Sequence, residues 1–162
     1  VMMGGALTVP GNVTPYAEAN VFQDPQATDY VFRHARDLTM VGLDVTLRTL
    51  LTREHTKQWR GTRTGRIYAD IVDYYIRAYK TTSPHLGGCG LHDPLAVAVA
   101  ADPSLVTCLD LNLRCEDNGR TIGDPERLDN PTARVAVAVD DARFVDDLMS
   151  KLGSLYTSTS AC

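Results

Sequence analysis

Two short apolar runs flank a helix signal near the start of the chain, and this order limits the fold more than any other feature. Val1, Met2 and Met3 are apolar and Gly4-Gly5 breaks the run, the pattern of a strand end entering a turn. Asp24-Pro25 then opens a helix to about residue 36, with Asp24 as N-cap and Ala27, Val31 and Phe32 on one face. Residues 38–45 are apolar with β-branched members, as in a strand buried on both faces of a parallel sheet. Strand, helix, strand is the rhythm of an α/β protein with an open, mostly parallel sheet flanked by helices. Ligands of such sheets gather outside the carboxyl ends of the strands, which puts residues 4–20 beside a site. Chains seldom begin in mid-strand, so the 162 residues read as the C-terminal part of a longer domain. A sheet cut in this way leaves an open edge, so the isolated chain is expected to self-associate or be poorly soluble.

The remaining elements follow from pattern. Thr52-Arg53-Glu54-His55 has the form of a cap and first helical turn, and residues 64–79 form a longer helix with Ile67, Ile71, Tyr75 and Ala78 at helical spacing. Tyr75 and Tyr79, four apart, share a face. Residues 105–115 read as one strand. Glu116-Asp117-Asn118-Gly119 is a turn signal that returns the chain as a small β-hairpin. Residues 134–139 form a further strand and residues 140–152 a helix whose apolar face carries Phe144, Val145, Leu148, Met149 and Leu152. The Thr/Ser-rich residues 157–162 are expected to be a disordered tail.

Chemistry concentrates in two stretches. In residues 87–99, Gly87, Gly88 and Gly90 give way to His92-Asp93-Pro94 and then to small apolar residues. Pro94 suits the first position of a helix and Asp93 its N-cap, although Asp93 equally suits a hard oxygen ligand for a divalent cation. His92, beside a carboxylate at the mouth of a glycine loop, can transfer protons near neutral pH. In residues 10–20, two prolines and a glycine exclude a regular helix through Pro15, leaving Asn12, Glu18 and Asn20 as polar groups among small or apolar neighbours. If residues 18–20 are extended, Glu18 and Asn20 point the same way. A carboxylate beside two carboxamides offers the acceptors and donors that sugar hydroxyls need, and the same residues equally suit a solvent-facing turn.

Composition excludes several classes. The formal net charge of −4 argues against nucleic-acid binding. No apolar run reaches the ~18 residues of a membrane span. Cys89, Cys108, Cys115 and Cys162 form no Cys-x-x-Cys pair, so a zinc site is not expected, and the cysteine usage points to a reducing compartment, the cytoplasm.

Five blocks in order resemble the inosine–uridine preferring nucleoside hydrolase family. They are Met3-Gly4-Gly5; Gly11-Asn12-Val13-Thr14-Pro15 with Ala17-Glu18 and Asn20; Asp24-Pro25 with Ala27; Val41-Gly42-Leu43-Asp44-Val45-Thr46; and His92-Asp93-Pro94-Leu95-Ala96-Val97. The resemblance implies the C-terminal part of that fold over residues 1–156, in a calcium-dependent enzyme that cleaves ribonucleosides to ribose and free base. It implies that Asp93 is a Ca²⁺ ligand and that His92 gives a proton to the departing base. Asn12, Glu18 and Asn20 then hold the ribose hydroxyls, Met3 packs near the sugar, and Tyr75 and Tyr79 lie on the helix leading to the base. It also implies a homo-oligomer, dimeric or tetrameric. The family's aspartate-rich N-terminal motif, which supplies most Ca²⁺ ligands, does not occur in these residues. An alternative is therefore a non-catalytic half-domain that binds a nucleoside or a partner chain.

Overall fold

The computed structural model describes residues 1–158. The elements in chain order are β1 (Met2–Met3), α1 (Ala19–Gln23), α2 (Pro25–His34), β2 (Leu38–Val41), the helical turn α3 (Leu43–Thr46), β3 (Leu50–Leu51), α4 (Arg53–Trp59), α5 (Arg63–Thr82), β4 (Cys89–Gly90), α6 (His92–Ala101), β5 (Val106–Leu111), β6 (Leu113–Cys115), β7 (Thr121–Gly123), β8 (Ala133–Val139) and α7 (Asp141–Ser158). They divide into two compact units, Val1–Arg48 with His92–Asp140, and Thr49–Leu91 with the residues from Asp141 onward. No helix among the described residues is long and apolar enough to cross a membrane.

The first unit is built on a sheet of order β1-β2-β8-β5. β1 and β8 both run parallel to β2, and β5 closes the edge antiparallel to β8. The expected α/β class with a mostly parallel sheet is the one observed. One layer of its core joins Met40, Val135 and Ala133 of the sheet to Phe32, Val21 and Leu113. Asp24 caps α2 through Ala27 N, with Pro25 at the helix start. The buried face of α2 is Thr28 and Phe32, whereas Val31, expected inside, is 42% exposed.

Two expected strands are shorter than their apolar patterns. The run 38–45 leaves the sheet after Val41 because Gly42 packs against the backbone of the β1 loop, where a Cβ would lie 2.7 Å from the Gly5 carbonyl oxygen. The chain then coils into α3, stabilised by Val45 N and Thr46 N donating to the Gly42 carbonyl. The run 105–115 breaks at Asn112, whose amide donates to the Arg127 and Asp129 carbonyls and accepts from Thr132. That buried amide ties down the 124–132 loop, and β6 departs to pair with β7 as the expected hairpin, its turn carrying Gly119 at φ +82°.

In the second unit β3 and β4 form a short antiparallel pair, and α4, α5 and α7 pack together. Thr52 and His55 close a capping box at the start of α4, as the sequence pattern indicates. The face of α5 that turns inward is Gly65, Ala69 and Ile76, not the expected stripe, for Ile67, Ile71 and Tyr75 are exposed. Gly65 can approach closely because it lacks a Cβ, which would fall on the Trp59 carbonyl oxygen at 1.9 Å. α7 runs to Ser158, past the expected end at 152, with Phe144 and Tyr156 buried. The expected disordered tail lies outside the described residues from 159 onward.

Candidate active site

The site grows from the carboxyl end of β1. Gly4 N donates to the Val41 carbonyl and Gly5 then turns with φ +84°, presenting its N–H to Glu18 Oε2 at 3.1 Å. Glu18 is not in an extended run. It is the N-cap of α1, its Oε1 accepting from Asn20 N at 2.9 Å and its Oε2 from Val21 N at 3.1 Å. The helix starts here because a carboxylate that is 2% exposed can satisfy the orphan N–H groups of the first turn. This corrects the expectation that Glu18 and Asn20 point together from a strand.

The other residues expected near the sugar converge on the same loop. The Asn20 Nδ2 lies 3.3 Å from the Met3 carbonyl oxygen and 3.2 Å from the Met3 sulfur. Asn12 Oδ1 accepts from Ala19 N at 2.9 Å, which folds the proline-rich segment back on α1. Both asparagines are exposed, so Asn12 Nδ2 and Asn20 Oδ1 offer one donor and one acceptor to a ligand.

His92 opens α6, two residues before the expected first helical position. Asp93 is therefore not the N-cap; it lies exposed in the first turn. The ring is anchored through Nδ1 to the Thr46 hydroxyl at 2.7 Å, and Thr46 is fully buried in α3. Burial pushes the His92 pKa down, and the charges of Glu18 and Asp93 pull it partly back.

Asp44, which carried no assigned role in the sequence, organises the neighbouring loop. It is 5% exposed; its Oδ2 accepts from Leu7 N, and its Oδ1 from both Thr8 N and the Thr8 hydroxyl. Asp44 and Thr46 were detectable as polar residues inside an otherwise apolar run that ends in a helical turn. Tyr75 and Tyr79 belong to the second unit, on α5, with ring centroids 5.1 Å apart in an edge-to-face arrangement. Burial, then the Tyr75 hydroxyl, push the Tyr79 phenol above its usual range, so it stays neutral and a hydrogen-bond donor.

The residues present do not compose a calcium site. Ca²⁺ takes ~6–8 oxygens. Among the described residues no group of three or more His, Cys, Asp or Glu side chains is placed to hold a metal, and the Asp44 oxygens are already engaged by Leu7 and Thr8. Asp93 offers one exposed carboxylate and no more.

Residues 1–146 match the model of the inosine-uridine preferring nucleoside hydrolase family. The chain belongs to this family. Among its relatives, the pyrimidine-specific ribonucleoside hydrolase RihA of Escherichia coli O9:H4 (strain HS) is 35% identical over 161 residues, covering 94% of the chain and 51% of the relative. The probable uridine nucleosidase 2 of Arabidopsis thaliana is 34% identical over 94% of the chain and 52% of that relative. The purine-preferring ribonucleoside hydrolase from Gardnerella vaginalis shares its fold with a TM-score of 0.91 and 55% identity, over 95% of the chain and 51% of that structure. The chain thus spans about half the length of the nucleoside hydrolases it matches.

Proposed function

We propose that the protein carrying this chain hydrolyses the N-glycosidic bond of ribonucleosides, releasing ribose and the free base. Family membership supports the reaction class. The observation that carries the site is the gathering of Met3, Asn12, Glu18 and Asn20 around the loop that joins β1 to α1, with Glu18 within electrostatic reach of His92. In the reaction the C1′–N bond breaks, water oxygen bonds to C1′, and the base nitrogen gains a proton. Positive charge grows on the ribose as the bond breaks. The exposed amides of Asn12 and Asn20 hold ribose hydroxyls, and Met3 packs beside the sugar. The Thr46 hydroxyl lies 2.7 Å from His92 Nδ1; with Thr46 as the hydrogen-bond donor, the neutral ring carries its N–H on Nε2, the proton that would pass to the departing base.

Asp93 is the residue of this chain that would offer an oxygen to a Ca²⁺. The protein works in the cytoplasm as a homo-oligomer in nucleoside salvage. The 55% identity to a purine-preferring enzyme, against 35% to a pyrimidine-specific one, favours purine ribonucleosides as substrates.

The test is ribose release by the whole protein from inosine and uridine assayed in parallel with added Ca²⁺. Ribose is expected from inosine at a higher kcat/KM than from uridine. Binding of nucleosides without ribose release from any of them would overturn the catalytic function in favour of a binding module.

A further inference from the structure

Glu18 is held from outside its own loop as well as from within it. Ala17, fully buried and immediately before Glu18, forms an isolated antiparallel bridge with Arg120 at the end of the β6–β7 turn. The turn presses close there. Gly119, at φ +82°, has no room for a side chain, since a Cβ would fall 2.9 Å from the Ala17 Cβ and 3.4 Å from the Phe22 Cα of α1. One residue past the bridge, Thr121 is buried with its hydroxyl against the other side of the site, and a Cβ on Gly5 would meet it at 3.0 Å. Gly5 and Ala17 are the two backbone positions between which the Glu18 carboxylate is stretched: one donates to Oε2 and the other precedes Cα. The hairpin touches both.

We propose that the β6–β7 hairpin turn is a positioning element for Glu18, with Gly119 the residue whose missing side chain lets it close on the loop. Its kinetic consequence rests on the ribonucleoside hydrolase function proposed above; its structural consequence does not. Gly119 is not a catalytic residue, because it acts only through Ala17 and Glu18.

The test compares Gly119→Asn with Gly123→Ala in the whole protein. Asparagine tolerates a positive φ, so it adds a Cβ with little backbone strain. Gly123 lies on the same hairpin with no atom within 4 Å of an added Cβ, and serves as the control. Amide hydrogen exchange reads the positioning directly. Gly119→Asn is expected to speed exchange of the Gly5, Asn20 and Val21 amides, the three donors to Glu18, by about tenfold, leaving Met40 and Val135 of the sheet unchanged. Gly123→Ala changes neither set, and adding Ala17→Gly to Gly119→Asn slows the three amides again. In the active enzyme Gly119→Asn raises KM for the ribonucleoside about tenfold at nearly constant kcat, and the rise disappears in a Glu18→Gln background. Unchanged exchange at the three amides, or equal acceleration of Met40 and Val135, overturns the positioning role. So does altered exchange with an unaltered KM. Altered exchange in a protein that releases ribose from no nucleoside leaves the positioning standing and removes the hydrolase function instead.

Discussion

Glu18 and Asp44 show how much of this site is backbone organisation. Each buried carboxylate accepts three hydrogen bonds, and five of those six donors are backbone N–H groups. A carboxylate offers about four lone-pair positions, so three N–H donors leave Glu18 about one further acceptor position. The sequence marks Glu18 as a polar residue among small ones but does not reveal that its partners are Gly5, Asn20 and Val21, because they depend on where β1 ends. Asp44 was still less visible, since a strand pattern through residue 45 hides the turn that turns it inward. Asp44→Ala leaves Leu7 N, Thr8 N and the Thr8 hydroxyl without their acceptor and is expected to cost about 1–3 kcal/mol, read as a lower urea midpoint at unchanged slope. A midpoint equal to that of the wild type would contradict the role given to Asp44.

At the scale of elements, caps and turn residues were legible and lengths were not. Asp24-Pro25, Thr52 with His55, and the Asn118-Gly119 turn act locally, through bonds spanning a few residues, and each stands where the sequence puts it. The breaks at Gly42 and Asn112 depend on partners far along the chain, the Gly5 carbonyl for one and residues 127–132 for the other. The face of α5 was misread for a related reason: its inward side is set by small residues and by Asp73, which a hydrophobic stripe does not capture. Burial pushes the Asp73 carboxyl up, but the Thr56 hydroxyl and the Arg60 guanidinium outweigh it and hold the pKa below the usual value. A lowered folded pKa stabilises the fold above the unfolded pKa, and that contribution is lost as pH falls through the folded value. Asp73→Asn should therefore cost about 1–2 kcal/mol at pH 7 and less at pH 3, in urea titrations of both proteins at each pH. An equal cost at the two pH values would mean that the ionised pair between α4 and α5 does not contribute.

At the scale of the molecule, the α/β class and the family were readable from ordered motifs, and the blocks that follow β1 and β2 lie at the ends of strands that the parallel sheet brings side by side. Asp93, the residue expected as a metal ligand, is one donor where several are required. The division of the chain into two units was not legible, for each unit is discontinuous in sequence. His92 is the residue on which the proposed catalytic function turns: it is anchored by Thr46, half-buried and within electrostatic reach of Glu18. The most direct measurement is steady-state hydrolysis of inosine by the whole protein and its His92→Ala variant. Loss of a proton donor typically costs ~10²–10⁴ in rate, so kcat should fall by that factor while KM moves by only a few fold. An unchanged kcat would take His92 out of the reaction and contradict the assignment of the β1 loop and α6 as its active site.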